Sequence, residues 1–597
     1  MSQTTDFLPS WDLTDFYADI KDPQIEKDID HARQLVHSFT TTYSGKLVDS
    51  STFSGPLLYQ ALQDYEKIEE LLGKIISFGF LCFATQAHVP SIVQFFQKTQ
   101  ETVTTLSSPL IFFTLDLNKI PDENLGSAYE TTPSLGRYKT WIDNIRQFRP
   151  YQLSADLEKL LHEKSISGRN AWCRLFEETL ASMKLDLEGK SYTVAEVLNH
   201  LSHKEAPIRA AAAQSLSDGL TKQLSLFAMI TNTLAKDKEI EDTWRGYPHP
   251  VAARNLANHV EDEVVEALVT TVKKNYASLS HRYYALKATW MGVDKIEYWD
   301  RNAPLPDADD RYIKWEEAKK IVHDAYAEFC PALADIGSRF FKNNWIDVGP
   351  KEGKESGAFA HPTIPSLHPY ILLNYQGKLR DVMTLAHELG HGIHQVLAAP
   401  QGPLLSDTPL TIAETASVFG EMLTFKALLR KVNSIAQKRQ LIAAKVEDMI
   451  NTVVRQIAFY DFEYQVHMRR RNHELTPEEL GDIWIQTQKE ALGEAVNLDN
   501  RIRPYWAYIS HFVRAPFYVY AYAFGDCLVN SLYSAYEKGD PKFVERYIEL
   551  LQAGGSKRHG DLLAPFGLNA KDPAFWQGGL DVIIHLIDEL ESLEGTA

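Results

Sequence analysis

Residues His368–His391, HPYILLNYQGKLRDVMTLAHELGH, hold the change of pattern on which the fold turns. Tyr370, Ile371, Leu372, Leu373, Asn374 and Tyr375 form a short apolar run of strand length, and the whole stretch Trp345–Tyr375 is rich in Gly, Pro and His. It reads as a small β-sheet whose last strand feeds a helix. From Asp381 to Gln395 the apolar residues fall at helical spacing, with Asp381 as the expected N-cap and Pro400 and Gly402 marking the far end. Most of the chain has the same period, as at Val264, Val265, Leu268, Val269 and Val272, and strand alternation is rare. The expected fold is therefore mostly α.

The helix carries His387, Glu388, Leu389, Gly390 and His391. At 3.6 residues per turn the two histidines stand one turn apart on one face, so both imidazoles reach a single cation. Glu388 sits beside them without being a ligand. This is the HExxH pattern, in which two His bind zinc and the Glu takes a proton from the attacking water. Chance gives roughly 0.04 such strings in a chain of this composition. A helix with surface histidines is the alternative, and a third ligand rejects it.

A catalytic zinc takes three protein ligands and leaves a fourth position open. Beyond Pro400, Thr408 and Pro409 read as the start of a second helix, on which Glu414 lies 23 residues after His391. A returning antiparallel helix would bring Glu414 to the metal. Its neighbours Ala413, Ala416, Ser417 and Gly420 are small, which suits close approach. Glu421, seven residues on and on the same helical face, is a candidate acceptor for a ligand His N–H. For Glu414, and more so for Glu421, a solvated helix glutamate is the alternative. Gly390 and Gly392 each cost about 1 kcal/mol in a helix interior, which fits either close packing of the Glu414 helix or a kink.

The chain has 597 residues, 44% hydrophobic and 23% charged, with a net charge of −18. That composition excludes disorder and collagen, and the charge repels nucleic acid and anionic membrane. Four scattered cysteines, Cys82, Cys173, Cys330 and Cys527, suit a reducing compartment. No basic, apolar leader opens the sequence, and the longest apolar stretch, Ile75–Ala84, is too short to span a bilayer. A soluble, cytoplasmic protein is expected, free of membrane and nucleic-acid partners. No repeat, P-loop or Rossmann fingerprint occurs. A division is expected near Lys190–Ala206, giving 1–195 as an N-terminal helical domain and 196–590 as the catalytic one. Asp300–Asp310 reads as a loop within the latter.

HELGH with His394 three residues on, a downstream AETAS and Glu421 closely resemble the thimet oligopeptidase and oligoendopeptidase F family of zinc peptidases. WDLTDFY at Trp11–Tyr17, the His368–His391 segment and SHFVRAPFYVYAYAFG at Ser510–Gly525 extend the resemblance over most of the chain. It implies a mostly helical, two-lobed, zincin-like molecule with a deep channel that admits only short unstructured peptides. His387, His391 and Glu414 would hold one zinc per chain, with Glu388 as general base. The strand Tyr370–Tyr375 would offer its edge to substrate through Tyr370, Leu372 and Asn374. Gly357 and Ala358 resemble the family's glycine-containing loop near the substrate.

Taken as one helix, the Ser510–Gly525 segment puts His511, Tyr518 and Tyr522 on a shared face and turns Tyr520 away, with Pro516 as a kink point. His and Tyr donors beside a metal would stabilise an oxyanion. Core packing is the other explanation for such a stripe. Arg469–Arg471 reads as a solvated helix end, and His361 and His368 as turn or substrate-loop residues. The expected activity is a zinc endopeptidase acting on oligopeptides. A helical zinc carboxypeptidase and a non-catalytic peptide-binding scaffold are the alternatives.

Overall fold

The computed structural model describes residues 8–305 and 311–594. About 70% of the chain is helix and 3% strand, as the helical period predicts. Seven short strands are described: β1 (Leu185–Leu187), β2 (Lys190–Tyr192), β3 (Ile296–Glu297), β4 (Ile346–Asp347), β5 (Phe359–His361), β6 (Tyr370–Leu372) and β7 (Val496–Asn497). They form two pairs, β1–β2 and β3–β7, and one three-stranded sheet in the order β4–β6–β5. Among the described residues no helix is long and apolar enough to cross a membrane.

The chain packs as two units. The first comprises Met1–Arg149, Asp310–Arg430 and Gly539–Gly567. Its longest helix, Gly55–Gln86, starts at Ser54, whose hydroxyl accepts the Leu57 N–H, and buries Leu58, Leu62, Leu72, Ile75, Phe78 and Leu81 at helical spacing. The apolar stretch Ile75–Ala84 is thus core. The WDLTDFY segment lies against the sheet: Trp11 and Phe16 pack on the Tyr370 ring at 5.9 Å each, and the Tyr370 hydroxyl donates to the Asp12 carbonyl at 2.7 Å.

The second unit comprises Pro150–Asp309, Lys431–Lys538 and Leu568–Ala597. Helices Tyr520–Glu537 and Pro573–Glu594 meet at Gly579, where a Cβ would stand 2.3 Å from the Cys527 carbonyl. The polar, Gly-containing stretch before Lys190 is the turn of the β1–β2 hairpin, with Glu188 and Gly189 both at positive φ. Thr193 and Glu196 then cap helix Val194–His200 reciprocally. The sequence division at 195/196 falls inside this helix, within the second unit. Of the loop read at Asp300–Asp310, Asp300 anchors one end through a buried pair with Arg209 at 2.7 Å, and residues 306–310 lie outside the described residues.

Candidate active site

The motif helix runs Leu379–Ala398. Asp381 is not its N-cap. It lies in the first turn and reaches back, its Oδ2 accepting from the N–H groups of Gln376 (2.8 Å) and Lys378 (3.0 Å), the amides just before the helix. At the other end a short turn at Ala399–Gln401 leads to Gly402 at φ +81.

His387 and His391 converge as their spacing requires. Their Nε2 atoms stand 3.2 Å apart, and each lies 3.5 Å from Glu414 Oε2. Among the described residues these three form the one group of His, Cys, Asp or Glu that suits a metal. A tetrahedral zinc with bonds of about 2.0–2.1 Å needs donor atoms about 3.3 Å apart, so the triangle fits. The donor chemistry agrees. His387 Nδ1 donates to Glu421 Oε1 at 2.5 Å, and the Ala413 carbonyl holds the ring N–H of His391. Both Nε2 lone pairs therefore face a carboxylate, an arrangement that calls for a cation between them.

Glu414 reaches this place differently from the expectation. The second helix is broken: a turn of helix at Leu410–Ala413 ends at Glu414, and a new helix, Ser417–Lys431, starts three residues later. Glu414 and Glu421 therefore do not share a helical face, yet the break lets both meet His387, from opposite sides of its ring. Thr408 does not cap; its hydroxyl lies 3.5 Å from His394 Nε2. Gly390 explains the close approach, since a Cβ there would stand 2.5 Å from the Ala416 carbonyl oxygen. Gly392 instead faces Phe340, and Gly420 faces Tyr326, whose hydroxyl donates to the Ala386 carbonyl at 3.0 Å.

Burial disfavours charge on His387, but the hydrogen bond and field of Glu421, with Glu414 and Glu388, outweigh it and raise its pKa to about 9. Burial pulls His391 down despite Glu414. His394 is buried outside the cluster and is pulled down to about 3. Glu388 is only 7% exposed; burial raises it to about 7 and the nearby His387 and the Ala360 N–H oppose the rise. A bound dication would lower these values together.

The substrate-strand expectation needs correction. β6 is the middle strand, paired in parallel with β4 and antiparallel with β5, so it has no edge to offer. Tyr370 and Leu372 are fully buried, Tyr370 beneath the WDLTDFY segment, while the Asn374 amide donates to the carbonyls of Glu355 (3.0 Å) and Gly357 (2.8 Å). These three residues build the sheet. The outer strand on that side is β5, directly after Gly357 (φ +95) and Ala358. Ala360 pairs with Ile371, whose N–H goes to Trp345 of the other flank, so the Ala360 N–H and C=O turn outward. They meet the motif helix: the carbonyl accepts from Gln395 at 3.3 Å and the N–H serves Glu388. The sequence reading missed Ala360 and Gln395. The only signals were the position of Ala360 after Gly357 and that of Gln395 two turns after Glu388.

His511, Tyr518 and Tyr522 belong to the second unit and come together there. His511 Nε2 lies 3.2 Å from the Tyr522 hydroxyl, and the Tyr518 ring lies 6.0 Å from His511 and 5.3 Å from Tyr522. They do not share one helix. His511–Arg514 is a single turn, Phe517 has φ +60, and the long helix begins at Tyr520. Tyr520 is buried and its hydroxyl accepts from Asn258 at 2.8 Å, which leaves it to the core.

Comparison with known proteins agrees with the motif and the fold. Peptidase family M3 matches residues 136–582. The chain is 27% identical to oligopeptidase PepF of Bacillus subtilis, over 98% of this chain and 87% of that protein. It is 25% identical to the group B oligopeptidase PepB of Streptococcus agalactiae, over 98% and 96%. In fold it is similar to a peptidase from Chlamydophila abortus (TM-score 0.84, 22% identity, 98% of both chains) and to oligoendopeptidase-F from Enterococcus faecium (0.72, 19%, 96% and 99%). A metalloendopeptidase of the oligoendopeptidase F type is the outcome, and the chain belongs to peptidase family M3.

Proposed function

We propose that this peptidase hydrolyses internal bonds of short, unstructured oligopeptides with one zinc held by His387, His391 and Glu414 and with Glu388 as general base. The observation that carries the reading is the triangle of His387 Nε2, His391 Nε2 and Glu414 Oε2 at 3.2–3.5 Å, with Glu388 on the same helix but outside it. When bound, zinc supplies Lewis acidity toward the scissile carbonyl and the attacking water. Glu388 takes the water proton and passes it to the leaving amine. Glu421 fixes the ring of His387 so that Nε2 stays a ligand.

The peptide adds as a strand to the outer edge of β5 by displacing the Gln395 amide from the Ala360 C=O and the Glu388 carboxylate from the Ala360 N–H, and because it then pairs through backbone many side chains are tolerated. Gly357 and Ala358 extend that edge, and Asn374 steadies it through the Gly357 carbonyl. His511, Tyr518 and Tyr522 supply donors to the oxyanion; their meeting in one cluster supports the role the family resemblance implies. In domain terms, 196–590 carries every residue of this chemistry and 1–195 is the N-terminal helical domain. The four free cysteines support a reducing, cytoplasmic setting.

The test is metal content measured together with cleavage of an internally quenched peptide whose C-terminus is amidated. Stoichiometric zinc and internal cleavage are expected. Protein without zinc that still cleaves, or zinc protein that removes only C-terminal residues from unblocked peptides, overturns the reading.

A further inference from the structure

Two guanidinium groups of the second unit, those of Arg301 and Arg455, stand without an anion, and both are half-buried, so that each keeps a reachable face. Arg301 follows the turn Tyr298–Asp300, and its Nε donates to the Tyr298 carbonyl at 3.0 Å. Arg455 opens helix Val454–Arg470, lies over the Phe459 ring at 5.0 Å and meets the Tyr508 hydroxyl. Tyrosines connect the two: the hydroxyls of Tyr298 and Tyr505 are 3.5 Å apart, and the rings of Tyr505 and Tyr508 are 5.8 Å apart. Among the described residues no carboxylate pairs with either guanidinium. The nearby acids are engaged elsewhere, Asp300 with Arg209 at 2.7 Å, Glu447 with Lys287 at 2.5 Å and Asp499 with Arg501.

In a chain of net charge −18, two open arginines do not reflect a shortage of carboxylates. Burial, and with it the like charge of Arg301, pulls the Arg455 guanidinium below its usual range. Two like charges partly out of water are unfavourable until an anion joins them. A guanidinium presents a planar fork of N–H donors that matches the two oxygens of a carboxylate, and a phenol adds a neutral donor. The place is beside the histidine and tyrosine cluster. Tyr508 stands three residues before His511, the Phe459 ring packs on Phe512 at 5.5 Å, and burial and then the charge of Arg455 hold His511 below its ordinary value.

We propose that Arg301 and Arg455, with Tyr508, receive a carboxylate of the peptide substrate, an inference that rests on the reading of His511, Tyr518 and Tyr522 as the groups that meet the scissile carbonyl. The α-carboxylate reaches the site when the segment after the scissile bond has one particular length, so the enzyme favours substrates that release a short C-terminal piece. An Asp or Glu side chain at the same place offers the same chemistry.

The experiment uses the zinc-loaded enzyme and internally quenched peptides with one scissile sequence, lengthened one residue at a time on the C-terminal side. Each length is made as the free acid, as the amide, and as the amide with aspartate last. At the length that reaches the site the free acid should show a KM about tenfold or more below the amide, the scale of one charge-assisted hydrogen bond. Arg455→Gln and Arg301→Gln should each bring that ratio toward one, and Arg455→Lys, which keeps the charge, should retain part of it. Restoration of the low KM by aspartate assigns the site to any carboxylate, and its failure to the α-carboxylate alone. Equal KM for acid and amide at every length overturns the proposal. So does a ratio that survives both glutamine variants, since a merely structural arginine alters acid and amide alike. The underlying reading fails separately: unchanged turnover in Tyr518→Phe and Tyr522→Phe withdraws the cluster from the scissile carbonyl, while the acid-to-amide ratio of the parent still reports the carboxylate site.

Discussion

The metal triangle and the His511–Tyr522 cluster are built on opposite plans. In the first, one unbroken helix supplies His387, Glu388 and His391, and a break between helices occurs only just after Glu414, where Ala416 comes in against Gly390. In the second, the break is the foundation. His511 sits on an isolated turn and Tyr522 on a long helix, and they meet only because Phe517 takes a left-handed conformation between them. Such a conformation costs a bulky residue about 1–3 kcal/mol and persists only where its surroundings enforce it. Here the Phe517 N–H is taken by Glu463 at 3.0 Å and the Pro516 carbonyl by Arg254 at 3.1 Å. Helical periodicity thus secures one site, and buried polar clamps secure the other.

If the contrast holds, the largest effects belong to the helix. His387→Ala, His391→Ala and Glu414→Ala should each lose zinc and abolish turnover, because two protein ligands do not make a catalytic site. Elemental analysis beside a peptide assay checks this, and full zinc with normal rate in Glu414→Ala would move the third ligand elsewhere. Next comes Glu388→Gln, which keeps size and hydrogen-bonding reach but cannot accept a proton. Turnover should fall about 10²- to 10⁴-fold while zinc content and KM stay near those of the parent. An undiminished rate would remove Glu388 from the mechanism.

How much of this was legible in the sequence follows the same division. HELGH could be read because ligand spacing and helix period are one quantity, and the mostly helical fold followed from that period over the rest of the chain. Glu414 was found by residue type and distance, though the helix assumed to carry it is split at Glu414–Ala416. The choice of His511, Tyr518 and Tyr522 over Tyr520 rested on a continuous helix that does not exist; the left-handed Phe517 restores the juxtaposition, and no local pattern announces that in a phenylalanine. Strand order was beyond reach. Nothing in YILLNY says that β4, many residues upstream, returns to cover one side of β6 and leaves β5 outermost, because pairing partners are set by tertiary packing and not by the run itself.

Variants in the second cluster should differ in kind from those in the first. Tyr522→Phe and Tyr518→Phe should keep zinc, and the one that donates to the oxyanion should lose about 10²-fold in kcat with little change in KM. His511→Ala should follow whichever tyrosine it steadies. Unchanged turnover in both tyrosine variants would return the cluster to packing. Smaller still is Glu421→Ala, which leaves three zinc ligands but frees the ring of His387. A loss of about 10- to 100-fold in metal affinity or rate is expected, read by competition with a chelator.

The smallest effect is expected at the clamp, and there it appears as a pH dependence of stability. Glu463 is 2% exposed, and burial raises its carboxyl to about 8 against the opposing pull of the Phe517 N–H and Arg254. The reference value is 4.5. Between these two values the folded protein keeps a proton that the unfolded chain has released. Stability therefore falls as pH rises through that window and is unaffected by this group below it. Glu463→Gln retains a carbonyl oxygen for the Phe517 N–H and removes the titration. Near pH 5 the variant should unfold within about 1 kcal/mol of the parent, the worth of one ordinary hydrogen bond. Toward pH 8 its melting temperature should hold while that of the parent drops, with a change in turnover smaller than that of the tyrosine variants. Parallel melting curves across the range would mean that Glu463 is already ionised in the folded protein, and that the left-handed turn at Phe517 is held by a charge.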